Sequence, residues 1–379
     1  MNNVQDTYLK LLCYSLWGNG GERYKAYGVQ EVMDTIQLAA FQGTGPLVYD
    51  QLLKLEDVEI SADLRLNMKQ QCVSNMMLQQ LMCGIFSRAW YALEEADIHP
   101  VLLKGFSLAQ YYPQPHLRQW GDIDLFVGKN YYHKACEVLR NALPEAKHPK
   151  EEFDFLKHYN FVFDNTILEM HRVSMTFAHP RDRRYYEGLE EMYLTKDGPK
   201  CEIEGLLVTT PEETFNVFFV FLHAWHHFVE TGMNMKQLCD IAILLHARKD
   251  YIDKGRLYEM LTKLHLMEAW QLIMYILVNR LGLAKEECPF YTEKCMTRAE
   301  LLFKQVLIEG SLYKKDDINA EGVSYLKRKW LTFMSRLADS RRVHPFAPSY
   351  ARHMIFGDII HGIERTIIGS ERAVNVECV

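Results

Sequence analysis

The stretch Gly121-Asp122-Ile123-Asp124-Leu125-Phe126-Val127, GDIDLFV, sets two aspartates inside an otherwise apolar strand. Side chains alternate across a strand, so Asp122 and Asp124 share one face while Ile123 and Leu125 point to the other, toward a core. Their Cα atoms then stand roughly 6–7 Å apart, twice the strand rise. Two carboxylates this close repel, and burial raises the penalty. A divalent cation removes it, and hard oxygen ligands that leave positions for water and phosphate suit Mg²⁺, with Mn²⁺ as the alternative ion. Read blandly, the same D-x-D is a strand end carrying two solvated acids.

Working outward, a third acid lies in Leu168-Glu169-Met170, again a charge between apolar residues on a predicted strand. If the two strands are neighbours, Glu169 reaches the aspartates. Three carboxylates can hold two Mg²⁺ ions for in-line displacement at phosphorus. His171 shares the strand face of Glu169 and either lines the site or steers the acid. Upstream, VLLKGFSLAQ reads as strand, glycine, helix, a turn whose backbone N–H groups can cradle phosphate at Gly105 while Lys104 adds positive charge. Arg118, four residues before Asp122, forks onto phosphate oxygens or holds its loop by a salt bridge.

The same signals organise the chain. Residues 1–97 read as helical, above all the Met- and Gln-rich run from Leu64 to Ile98 with no proline in it. Strand signals follow at His99–Gly105 and Trp120–Val127, with a helix from about Tyr131 to Leu143. HYNFVFD (158–164) and TILEMHRV (166–173) alternate at period two around Asp164-Asn165, a hairpin turn. MYLT (192–195) and CEIEGLLVTT (201–210) add further strand signal, and RDRRYYEG (181–188) reads as a solvated basic loop. Thr210-Pro211-Glu212-Glu213 then opens a helix with Thr210 as its cap, and the chain stays helical to residue 379. The expectation is an α+β protein, with a mixed sheet over 98–209 between helical regions 1–97 and 210–379.

Composition narrows the function classes. The 379 residues are 48% hydrophobic and 24% charged, the balance of a globular protein with a full core. A net charge of −6 argues against a nucleic-acid partner, which calls for a basic excess. The longest apolar run, Phe215 to Trp225, is too short to span a bilayer, so no membrane association is expected. Nine scattered cysteines without a CxxC pair and the absence of a secretion signal lead to an expectation of reduced thiols and a cytoplasmic location.

Taken in order, LLKGFSLAQYY, GDIDLFV and LEM resemble the DNA polymerase β-like nucleotidyltransferase superfamily, whose pattern is strand–Gly–helix, h-D-h-D-h and a later h-[DE]-h. More narrowly, LLKGFSLAQYYPQPHLRQWGDIDLFV followed by LEMHRV is similar to the bacterial family of uncharacterised nucleotidyltransferases, over residues 101 to 173. MKQLCDIAILL (235–245) extends the likeness more loosely. The superfamily usually carries a small residue where this chain has Phe106, a departure the narrower family shares; Ser107 is then the residue expected at the helix-start contact. The resemblance implies a polymerase β-like core over 98–209 and a metal and nucleotide site.

The expected activity is transfer of a nucleoside monophosphate from an NTP, ATP or CTP, to a hydroxyl of a small-molecule or protein acceptor, releasing pyrophosphate. Asp122, Asp124 and Glu169 would hold Mg²⁺ and carry catalysis; Lys104, Gly105, Ser107 and Arg118 would bind phosphate. Two other readings compete. One is a D-x-D glycosyltransferase, which needs a βαβ half that the helical residues 1–97 do not supply. The other is a non-catalytic nucleotide-binding module. His223, His226 and His227 in HAWHH lack the glutamate of a zinc-protease motif, so they read as helix-packing or cleft-facing residues. Asp240, one acid on an apolar helix, reads as structural, paired with a basic or histidine side chain.

Overall fold

In the computed structural model, which describes residues 3–18, 28–55, 60–147, 157–310 and 325–367, the N-terminal stretch forms helices α1 (Asn3–Trp17), α2 (Val29–Phe41), α3 (Gly45–Lys54) and α4 (Ala62–Glu95). Ser61 starts α4 by accepting a hydrogen bond from the Leu64 N–H at 3.2 Å, a side-chain cap for a donor the helix cannot satisfy. Met82, Phe86, Trp90 and Leu93 follow at helical spacing, and all four are buried in one core.

Next come β1 (Val101–Leu103), the single turn α5 (Phe106–Ala109), β2 (Ile123–Phe126), α6 (Gly128–Ala142), β3 (His158–Val162) and β4 (Ile167–His171). The sheet order is β1-β2-β4-β3, with β2 and β4 parallel and both outer pairs antiparallel, so the sheet is mixed as expected. Asp164 and Asn165 fall in the β3–β4 connection, where the hairpin turn was read.

Period-two alternation divides this sheet into two faces. Leu102, Ile123, Leu125, Tyr159, Phe161, Leu168 and Met170 point into the core shared with α4 and α6. Burying each such side chain contributes roughly 1.5–3 kcal/mol. The opposite face carries Asp124, Glu169, His158 and His171.

Helix α7 (Pro180–Tyr193) follows, then the hairpin of β5 (Lys200–Ile203) and β6 (Leu206–Thr209), then α8 (Glu213–Glu230), α9 (Met235–Arg248), α10 (Lys254–Lys263), α11 (Met267–Leu281), α12 (Met296–Glu309), α13 (Tyr325–Val343) and α14 (Pro348–Ile367). Every described element after Thr209 is helical. A second core runs through α1–α3 and α8–α12 and reaches the other side of β1 at Val101 and Leu103. Among the described residues, no helix is long and apolar enough to cross a membrane.

Two local expectations are corrected. RDRRYYEG and the start of MYLT belong to α7, not to a loop and a strand. Tyr186, Leu189 and Glu190 form its buried stripe, and His179-Pro180 is its start, with His179 as cap. Helix α8 begins at Glu213 with Glu212 as cap, its carboxylate accepting from the Phe215 N–H at 3.0 Å. Thr210 is engaged elsewhere: its N–H and hydroxyl both donate to the Pro199 carbonyl, closing the β5–β6 hairpin.

Candidate active site

Parallel pairing of β2 with β4 sets Asp124 directly opposite Glu169, and Leu103 of β1 lies opposite Asp124 on the other side. Carboxylate oxygens of Asp122, Asp124 and Glu169 lie within 4.8 Å of one another. Thr166 donates to the Gly121 carbonyl at 3.0 Å and so fixes the entry to GDIDLFV against β4. Asp124 is fully covered, whereas the side chain of Asp122 keeps 44% of its exposure, so the trio opens outward at Asp122.

Lys104 closes the site from the end of β1. Its ammonium lies 3.0 Å from Asp124 Oδ1 and 3.4 Å from Asp122 Oδ2. The backbone aims it there: Lys104 and Gly105 both have positive φ, 39° and 48°, which a lysine rarely adopts. A Cβ on residue 105 would touch the Asp122 carbonyl at 3.4 Å, so this turn packs close against the aspartate strand. The Ser107 hydroxyl donates to the Lys104 carbonyl at 2.9 Å. It therefore buttresses the turn.

His171 joins the acids from the strand face it shares with Glu169. Its Nε2 lies 2.9 Å from Asp124 Oδ1 and 3.3 Å from Glu169 Oε2, and the His158 ring lies beside it, tilted by 58° with centroids 5.1 Å apart. The charges set one another. Lys104 holds Asp122 well below the usual carboxylate range. Burial, then the neighbouring Asp122, pushes Asp124 up. Burial also works to raise Glu169, but the hydrogen bond and charge of His171 outweigh it and hold Glu169 low. Lys104 and His171 are both held above their ordinary values by the acids, against the effect of burial.

Arg118 forms the loop-holding salt bridge, one of its two expected readings. Its guanidinium forks onto Asp240 of α9, Nε to Oδ1 at 2.7 Å and one terminal nitrogen to Oδ2 at 2.8 Å, and the pair is buried. Tyr112 donates to the same Oδ1 at 2.8 Å, and Asn75 of α4 donates to the Arg118 carbonyl at 3.0 Å. This network pins the loop before β2 from both sides, and it pairs Asp240 with a basic side chain as the structural reading has it.

Sequence reasoning missed two cations. Lys236 stands at the start of α9, placed by a capping box in which Asn234 and Gln237 satisfy each other's N–H. Its ammonium comes within 3.4 Å of where a Cβ on Gly121 would be, and its charge helps keep Asp122 ionised. Burial, then the neighbouring Arg118, lowers Lys236 to about 8. Lys157, just before β3, is lowered by burial and by Lys104. The only sequence signal for Lys236 was its place in MKQLCDIAILL.

The α8 histidines face this centre. His223 and His227 share a hydrogen bond between their Nε2 atoms at 2.9 Å, and burial together with Lys104 holds both below the ordinary imidazole value, His227 at about 4. His226 turns aside to Glu230 at 3.0 Å.

The donor set fits a divalent cation. Three carboxylates converge, and Asp124 Oδ2 is buried without a hydrogen-bond partner, which is costly unless something occupies its lone pairs. The family model described as "Uncharacterised nucleotidyltransferase" matches residues 30–282. No curated protein and no solved structure matches the chain.

Proposed function

The chain belongs to the family of uncharacterised nucleotidyltransferases, and on that premise we propose that it moves a nucleoside monophosphate from an NTP to a hydroxyl of a small-molecule or protein acceptor, on a polymerase β-like core. One observation carries the metal-dependent form of this reading: Asp122, Asp124 and Glu169 converge, with Asp124 Oδ2 orphaned among them. Asp122, Asp124 and Glu169 would hold Mg²⁺, or Mn²⁺, which supplies Lewis-acid stabilisation of the charge that develops on the phosphoryl and leaving oxygens.

The other roles fall to the chain itself. Lys104, Lys157 and Lys236 bring three cations around the acids, the charge a triphosphate needs. The strained turn at Lys104 and Gly105 holds one of them in place before the nucleotide arrives. Glu169 accepts the hydrogen of the acceptor hydroxyl as the new P–O bond forms and the bond to the β-phosphate oxygen breaks, with pyrophosphate leaving. His171 keeps Glu169 oriented through the 3.3 Å contact.

The test is incubation of the protein with Mg²⁺ and α-³²P-labelled ATP or CTP, together with bacterial metabolite and protein extracts as acceptor pools. Metal-dependent label transfer with equimolar pyrophosphate release supports the reading. Nucleotide binding without pyrophosphate from any pool would leave a binding module instead.

A further inference from the structure

We propose that His179, Asp182 and His353 form a separate site for a divalent transition-metal ion, of the zinc type, that fastens helix α14 to helix α7. Nitrogen and carboxylate atoms of the three residues lie within 4.8 Å of one another. Asp182 Oδ2 is in hydrogen-bond contact with His353 Nε2, and Asp182 Oδ1 lies 3.9 Å from His179 Nδ1. Ligands about 2.0–2.1 Å from a tetrahedral ion stand roughly 3.3 Å apart, so side-chain movements of about an ångström bring all three onto one ion.

The fold prepares the cluster from two sides. His179 caps α7, its Nδ1 accepting from the Arg181 N–H at 3.2 Å, a contact the ion displaces when it takes that lone pair. Asp182, one turn on, is buried with its side chain 6% exposed. His353 comes from α14, which approaches closely at Gly357, where a Cβ would stand 2.9 Å from the His179 N. The His179 and His353 rings lie with centroids 4.7 Å apart, and the His265 ring lies 4.1 Å from that of His353. A fourth position is available too. The cluster opens onto a cavity of about 60 Å³ lined also by Phe177, His226, Arg336 and Tyr350. That space admits a water, for which roughly 10–15 Å³ suffices.

Two imidazoles and one carboxylate differ in kind from the all-carboxylate trio of the candidate active site. Imidazole selects zinc-like ions, whereas the oxygen trio suits Mg²⁺. His353 also lies outside the residues matched by the family, 30–282, so the site joins a family segment to a part of this chain beyond it. His158, Glu169 and His171 form another group of the same kind, but they share Glu169 with the active site and belong to it.

The experiment strips the full-length protein with a chelator and titrates it with Co²⁺ as a visible probe, then counts bound metal after dialysis. Wild type and Asp124→Asn should both bind one equivalent with imidazole-type d–d absorption that His353→Gln and His179→Gln each lose, with their circular dichroism unchanged. Zn²⁺ should raise the melting temperature of the wild type and not of either variant. Equal Co²⁺ stoichiometry and affinity in the wild type and a folded variant would overturn the proposal. Should neither variant fold, the wild type and Asp124→Asn decide alone: no shared equivalent with imidazole absorption means no such site.

Discussion

His171 Nε2 lies between Asp124 and Glu169, 2.9 Å from one carboxylate and 3.3 Å from the other. One imidazole therefore ties together two acids that β2 and β4 place side by side. Above them the Lys104 ammonium sits 3.0 Å from Asp124. The Lys104 ammonium and the His171 contacts stabilise a cluster of carboxylates that would otherwise repel.

Replacing Lys104 by Met should expose that compensation. The Lys104 pKa is held above its ordinary value, so its stabilising charge is present throughout the neutral range and is lost only as pH climbs past the folded value. Lys104→Met should melt at a lower temperature than wild type near neutral pH. Mg²⁺ alone should raise the melting temperature of Lys104→Met more than that of the wild type, because the ion then meets no competing ammonium. A smaller Mg²⁺ shift in the variant would show that lysine and metal do not share the site.

The Arg118–Asp240 fork predicts a stability effect. Asp240→Asn leaves a buried guanidinium without its counter-charge, and breaking such a pair typically costs about 3–5 kcal/mol. Urea unfolding should register a loss of that order. The double variant Arg118→Met, Asp240→Leu should recover most of it, since no unpaired charge remains. A loss below about 1 kcal/mol in Asp240→Asn would mean the loop before β2 is not held by this network.

The α8 histidines predict a pH dependence. His227 is held at about 4 against an ordinary 6.5, so it stays neutral in the folded protein while the unfolded chain takes up a proton below about pH 6.5. Its contribution to stability is therefore complete above pH 6.5 and falls away as pH drops toward 4, with a slope of up to ~1.4 kcal/mol per pH unit. Guanidinium unfolding from pH 7.5 to 4 should show a shallower decline in His227→Gln than in wild type. Parallel curves would mean that His227 titrates alike in both states.

What could be read in the sequence follows from distance along the chain. Asp122 and Asp124 were found because period two forces them onto one face, and Glu169 because LEM repeats that pattern on a strand joined by a two-residue turn. Arg118 could be read only as a phosphate fork or a loop salt bridge, because its partner, Asp240, lies 122 positions away and only packing of α9 against the loop brings them together. Lys236 and Lys157 escaped for the same reason, since nothing local marks a lysine as facing a distant carboxylate. Helix α7 was legible in part. His179-Pro180 is a start signal, and Tyr186 and Leu189 recur at helical spacing, but the run of arginines beside them masked the pattern. Thr210 carried every mark of a cap, yet the β5–β6 hairpin claimed its N–H and hydroxyl first.

The most direct test of the central claim is the melting temperature of Asp124→Asn, with and without Mg²⁺ plus ATP or CTP, measured beside pyrophosphate release. Burial and Asp122 already push the Asp124 carboxyl up, so its charge is disfavoured in the folded protein and Asn should leave the apo melting temperature unchanged or higher. Losing the cation from the phosphoryl-transfer step should cost several times 1.4 kcal/mol of transition-state stabilisation, and each such increment is about tenfold in rate. The account predicts an intact fold, no ligand-induced shift and no transfer. A variant that keeps the wild-type shift with Mg²⁺ and nucleotide would contradict it, because GDIDLFV would then hold no metal.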